Sequence, residues 1–199
     1  MVVDGFPRSA NTYAWFVLKS AIEPKYMVRG HSHSVSTLHS AIRDGKPAML
    51  MLRDPDGAVA SLHQMQDGVS LASCYEAYRS FHTRCLPLVD NLYIAHFEEV
   101  ITDFGAVLDN FYNAFELDWP RYVKTPENEQ FITDVVEHSN RRRNQGNLRE
   151  EGVARPSLSR RRAEDVIRML SPREERARSG ALAAYEALTG ANSATPKSR

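Results

Sequence analysis

The 199-residue chain predicts a three-layer α/β fold, a central parallel sheet flanked by helices. Three observations carry this prediction. A short apolar strand at Val2-Val3-Asp4 runs through a tight small-residue loop into a helix. Ala48-Met49-Leu50-Met51-Leu52 is a continuous apolar run, as expected of a strand buried on both faces. Further along, apolar strand-length runs keep alternating with helical patterns, and that alternation needs crossover helices.

Taken in order, the loop after the first strand feeds a helix at about 12–22, with Trp15, Leu18 and Ile22 on one apolar stripe. Val28 begins a short second strand that ends at the Gly30-His31-Ser32-His33 turn. A helix over about 34–44 is closed by Asp44-Gly45-Lys46-Pro47. The 48–52 strand stops at Arg53-Asp54-Pro55, and Asp56-Gly57-Ala58 opens a helix into the 60s. Residues 70–90 read as a helix with Tyr75, Tyr78, Phe81 and Leu86 inward. A strand at Leu92–His96 and an amphipathic helix at 103–116 follow. Residues 139–157 read as a basic loop, with helices at about 158–170 and 172–188. The expected organisation is one domain over 1–189 and a polar, disordered tail over 190–199.

Composition narrows the function. Formal net charge is zero, so no global field favours nucleic acid. The charge is uneven: residues 139–179 hold 12 Arg against 6 acidic residues, and residues 1–138 hold 11 Lys/Arg against 18. Arg outnumbers Lys 20 to 5, which either a GC-rich coding sequence or a need for phosphate ligands explains. Cys74 and Cys85 lack C-x-x-C spacing and read as buried reduced thiols, and the seven His show no metal pattern. No stretch reaches membrane-span length and the chain opens directly in a strand, so a soluble cytoplasmic protein is expected. A longer natural N-terminus stays open.

The loop Gly5-Phe6-Pro7-Arg8-Ser9-Ala10-Asn11-Thr12 carries the first chemistry. Backbone N–H groups and the positive end of a helix dipole converge there on an anion. Its length is that of a P-loop, G-x-x-x-x-[GA]-x-[ST], with Gly5, Ala10 and Thr12 in place, so the fold is read as P-loop-like. Asn11 stands where the P-loop Lys belongs, and Arg8 is the strong cation of the loop. A nucleotide phosphate site without triphosphate hydrolysis follows. Arg53, at the end of the most buried strand, offers a second planar phosphate fork, with Ser61 supplying a hydroxyl. Alone, Arg-Asp-Pro reads as a turn.

Together these segments resemble the sulfotransferase family, which uses 3′-phosphoadenosine-5′-phosphosulfate (PAPS). Residues 5–12 are similar to that family's 5′-phosphosulfate loop, Pro-[Lys/Arg]-Ser-Gly-Thr-Thr. Leu52-Arg53-Asp54-Pro55 through Ala58, Ala60, Ser61 and Leu62 is similar to its 3′-phosphate segment. His96-Phe97-Glu98-Glu99-Val100 is similar to its Tyr-Glu-[Asp/Glu]-Leu passage. Ala10-Asn11 departs from the usual Gly-Thr. The nearest copy of the late Arg-Lys-Gly motif is Arg141-Arg142-Arg143-Asn144-Gln145-Gly146.

The resemblance implies that Pro7, Arg8, Ser9, Ala10, Asn11 and Thr12 hold the 5′-phosphosulfate of PAPS. Arg53 and Ser61 would hold the 3′-phosphate, and Arg142, Arg143 and Gly146 would bind the nucleotide as the late motif. The stretch Arg141–Arg143, with Arg149 and Arg155, would close over it and complete the 3′-phosphate site. Arg8 would stabilise the leaving phosphate, and no metal is required. His31 is the base candidate, preceding Arg53 by about the separation seen in family members with a Thr-His pair; His33 is its alternative. An ordinary imidazole, with pKa near ~6.5, suits that role. Polar loop histidines without chemistry are the competing reading. Trp15 and Trp119 read as core or boundary residues, and Phe6 as touching either core or adenine.

The expected function is sulfuryl transfer from PAPS to a hydroxyl or amine of a small acceptor, by in-line displacement. The expected partners are that acceptor, no nucleic acid and no membrane, with a homodimer left open. A P-loop nucleotide or small-molecule kinase is the first rival, weakened by Asn11. A degenerate member that only binds nucleotide or a partner protein is the second. Nucleic-acid binding through the arginine-rich 139–179 region is the third.

Overall fold

Parallel strands need long crossovers, and the direction of each crossover decides which face its helix covers. In the computed structural model, which describes residues 1–22, 25–66, 68–148, 168 and 170–191, four strands form one parallel sheet. They are β1 (Val2–Gly5), β2 (Arg29–Gly30), β3 (Ala48–Leu52) and β4 (Tyr93–His96), in the order β2-β1-β3-β4. β1 and β3 pair from Val2↔Ala48 to Gly5↔Met51, and β3 and β4 from Met49↔Tyr93 to Leu52↔His96. The chain steps one way from β1 to β2 and the other way from β2 to β3 and β4. Right-handed crossovers must then place their helices on opposite faces.

The core divides accordingly. On one face lie α1 (Asn11–Ile22), α5 (Phe97–Ala114) and α6 (Pro126–Arg143), packed on Val3, Met49, Met51 and Ala95. On the other lie α2 (Val35–Arg43), α3 (Pro55–Met65), α4 (Leu71–Cys85) and the C-terminal α7 (Pro172–Ala191), packed on Val2, Leu50, Leu52 and Ile94. Successive side chains of β3 therefore enter alternate clusters and every residue of it is buried, which explains the unbroken apolar run. A 3₁₀ helix, Leu86–Asn91, links α4 to β4. Truncating any of these buried leucines to Ala carries a cost of about 2–5 kcal/mol.

Helix starts are chemically marked. Asp54 caps α3 by accepting from the Gly57 amide at 2.6 Å, and Pro55 stands in the first turn. Ser70 caps α4. Thr125 caps α6, with Glu127 and Glu129 in its first turn and Arg141, Arg142 and Arg143 in its last, matching the helix dipole at both ends. That match overturns the expectation of a basic loop from residue 139, because 139–143 are the last turns of α6. The expected 103–116 helix begins earlier, at Phe97, with a kink where Asp103 leaves helical geometry. Leu86 opens the 3₁₀ helix instead of continuing α4. The expected tail start at 190 is also corrected, since α7 continues through Ala191. The helix expected over 158–170 and the segment 192–199 lie outside the described residues, apart from Arg168 and Leu170.

α7 is tied down by charge as well as packing. Arg178 makes a two-pronged pair with Asp56 in the first turn of α3, both contacts at 2.8 Å, and Tyr75 donates to the same carboxylate. Cys74 and Cys85 are buried free thiols, and burial pushes Cys85 up to about 12. No helix among the described residues is long and apolar enough to cross a membrane.

His82 is fully buried in α4 against Phe6, Tyr78 and Phe81, and its Nδ1 contacts the Tyr78 carbonyl at 2.9 Å. Desolvation pulls its pKa down to about 4. The unfolded chain, with an ordinary imidazole, then binds a proton that the folded chain refuses between about pH 6.5 and 4. Stability is unpenalised above this window and falls through it as the pH drops, by roughly 3 kcal/mol in total. Thermal melts should show His82→Leu flattening that acid slope; an unchanged slope would place the acid sensitivity elsewhere.

Candidate functional site

The order β2-β1-β3-β4 reverses direction between β1 and β3, and α/β sheets place ligands beyond the strand ends at such a switch point. Here the two strand ends are the Phe6–Ala10 loop and Arg53. Phe6 anchors the loop from beneath: it is buried, edge-on to Tyr78 at 5.0 Å and to Phe81 at 6.1 Å. Core contact is thus its role. Above it, Arg8 (φ 70°) and Ala10 (φ 66°) both adopt left-handed backbone, a conformation that costs non-glycine residues about 1–2 kcal/mol each. Alternation of this kind turns successive N–H groups toward one concavity.

Side chains hold that strained shape. Asn11, buried at the start of α1, donates through Nδ2 to the Phe6 carbonyl at 2.8 Å and the Gly5 carbonyl at 3.4 Å. The residue standing in the P-loop Lys position thus closes the loop on itself. Arg53 is nearly fully buried; its guanidinium lies 4.1 Å over the Phe97 ring and donates to the Arg8 carbonyl at 2.9 Å. Tyr78 in turn donates to the Arg53 carbonyl at 2.5 Å. Arg8 Nε donates to Ser61 Oγ at 2.7 Å, so two residues assigned to different phosphates are in direct contact. Ser9 is completely buried, and its hydroxyl has no hydrogen-bond partner among the described residues.

The histidine loop meets the same place from β2. His31 Nε2 lies 3.0 Å from Thr12 Oγ1 in the first turn of α1, and the Trp15 ring is stacked beside it at 6.3 Å. His33 Nδ1 contacts the Gly5 carbonyl at 2.9 Å; a carbonyl only accepts, so Nδ1 carries a proton and donates. Gly30 permits this entry, because a Cβ there would overlap the Val3 carbonyl. Burial, then the neighbouring His33 and Arg143, lower the His31 pKa, against an opposing pull from Asp4. His31 therefore titrates below the ordinary imidazole range assumed from sequence, and is neutral at pH 7.

The predicted site residues separate into two groups. Arg8, Ser9, Ala10, Asn11, Thr12, His31, Arg53 and Ser61, with the half-buried Pro7, gather at one end of the sheet. Of the late motif, Arg143 is near enough to act on His31, whereas Arg142 is exposed and Gly146 (φ 93°) turns the chain after α6. Among the described residues neither of these two hydrogen-bonds to the loop. Arg149 and Arg155 lie outside the described residues. Trp15, read as a core or boundary residue, is half-buried, and Trp119 stacks on Tyr26 at 4.6 Å. Sequence reasoning missed Asp4, a buried carboxylate at the end of β1. Its signal was a charged residue inside an apolar strand.

Comparison with protein-family models, curated proteins and solved structures finds no match to this chain. The functional reading therefore rests on this geometry. Asn11→Ala removes both loop-closing donors, with an expected loss of about 1–2 kcal/mol in urea denaturation. No loss would mean that the left-handed turn holds without them.

Proposed function

We propose that this protein is a sulfotransferase with a P-loop-like nucleotide site, transferring a sulfuryl group from PAPS to a hydroxyl or amine of a small acceptor. One observation carries the reading. Three segments far apart in sequence, 5–12, 31–33 and 53–61, meet at the β1/β3 switch point with an anion-binding concavity, two arginines and a neutral imidazole. The fully buried Ser9 hydroxyl and the left-handed turns at Arg8 and Ala10 suit a phosphosulfate, because they supply donors and no lysine.

PAPS supplies an activated sulfuryl group: an acceptor O–S (or N–S) bond forms as the S–O bond to the bridging oxygen breaks, and 3′,5′-ADP leaves. Arg8 and the loop amides are fixed before any charge develops, as preorganised stabilisation requires. Ser61 accepts from Arg8 and still has its own O–H to donate to an anion. Arg53, braced between the Phe97 ring and the Arg8 carbonyl, presents its guanidinium at the same strand end. His31 takes the acceptor proton on Nε2, with the acceptor O–H or N–H replacing the Thr12 hydroxyl as donor.

Calorimetric titration with 3′,5′-ADP, ADP and ATP, with and without Mg²⁺, tests the proposal. Tight, metal-independent binding of 3′,5′-ADP alone is expected. Mg²⁺-dependent ATP binding would sink the reading in favour of a kinase, and binding of no nucleotide would leave a chain without this chemistry. With an acceptor identified by screening, His31→Ala should lower turnover by roughly 10²-fold and leave 3′,5′-ADP affinity nearly intact. Because burial and Arg143 lower the His31 pKa, the acid limb of kcat/KM should have its midpoint below pH 6.5. A midpoint above that value would argue against His31 as the base.

A further inference from the structure

Asp4 is completely buried at the end of β1, and its carboxylate accepts from donors on two different loops. Oδ1 accepts from the Gly5 amide at 2.9 Å and from the His33 amide at 2.9 Å. Oδ2 accepts from the Ser32 amide at 3.2 Å and from the Ser32 hydroxyl in a short contact. Ser32 Oγ also lies 2.7 Å from Thr37 Oγ1 in α2, and His33 Nδ1 donates to the Gly5 carbonyl. Both residues flanking Ser32 adopt left-handed backbone, His31 at φ 59° and His33 at φ 52°. Two left-handed residues thus flank Ser32, and the carboxylate that bonds Ser32 and His33 also holds the first amide of the phosphate loop.

We infer that Asp4 is a positioning residue: it locks the 31–33 loop to the start of the phosphate loop, so that the His31 imidazole and the anion concavity are set as one rigid unit. The inference rests on the reading of His31 as the base. An ordinary interior position would not place a charge here, since a buried carboxylate is tolerated only when fully hydrogen-bonded. Asp4 uses donors from the very segments that carry the candidate chemistry. Its charge is also felt at His31, in opposition to His33 and to Arg143 from α6; Thr12 and Trp15 face the ring from α1.

Asp4→Asn is nearly isosteric and tests this. With its oxygen kept on the Gly5 and His33 amides, the new NH₂ group faces the Ser32 N–H, which can no longer be satisfied. Nuclear magnetic resonance of the imidazole nitrogens and amide hydrogen exchange read the outcome on the free protein. The His31 titration midpoint should fall below that of the wild type, and Ser32 amide exchange should accelerate by roughly 10-fold. A merely structural role would lower global stability and leave the His31 midpoint where it was, and that result overturns the inference. Should Asp4→Asn fail to fold, Ser32→Ala removes one donor and keeps the charge. It should accelerate His33 amide exchange by roughly 3-fold or more, and unchanged exchange there also overturns the inference. Neither readout needs nucleotide or acceptor, so a wild type that ignores 3′,5′-ADP would count against the sulfotransferase reading alone.

Discussion

The close approach of β1 to β3 at Gly5 and Met51 governs the whole carboxyl edge of the sheet. A Cβ on Gly5 would overlap the Met51 carbonyl oxygen and crowd the Asn11 side chain, so the strand can end here only on glycine. With that approach in place, the chain leaves β1 beside the end of β3. The Arg8 carbonyl then comes within reach of the Arg53 guanidinium, and Asn11 can close the turn. Move the strands apart by a methyl group and the left-handed residues lose both of their braces. The site is a product of strand register before it is a product of its side chains.

The parts of the fold that were legible in sequence are those in which burial is two-sided or a turn is chemically marked. The 48–52 run admits one interpretation because apolar residues on both faces of a strand need a layer on each side. Asp54-Pro55 marks a helix start through capping and fixed backbone geometry. α6 was not legible, for a physical reason: it packs beside α1, and its apolar residues Phe131, Ile132, Val135 and Val136 are confined to little more than one turn between polar stretches, so the apolar period is too short to register. Its arginines read as a loop when taken as charge alone, yet they are a helix terminus complementing a dipole. Gly190 looked like a terminator, but a helix near its end tolerates glycine.

The candidate site was legible where spacing encodes backbone geometry. The eight residues from Gly5 to Thr12 define a turn into a helix, and Arg53 follows a buried strand. Their meeting is a consequence of β1 lying beside β3. What the residues do to one another was not legible. Arg8 bound to Ser61, Asn11 closing the loop and Asp4 gathering amides from two loops are all tertiary contacts, with no trace in local pattern. The direction of the His31 shift was hidden too, because it comes first from burial of the ring, then from His33 and Arg143, and burial is decided by tertiary packing.

The pairing of Arg178 with Asp56 spans 122 residues, and that span has a meaning for biosynthesis. At ~5–20 residues per second, Asp56 leaves the ribosome on the order of 10 s before its partner. All four strands and the braces of the 5–12 loop come from chain made before Arg178, whereas the α4 surface that receives Ala181, Ala184 and Leu188 has no cover yet. The nascent chain thus passes through a period with its 5–12 loop assembled and an apolar helix face open to water. That face, bordered by an Asp56 carboxylate that has Tyr75 but not yet Arg178, is the one open to a chaperone.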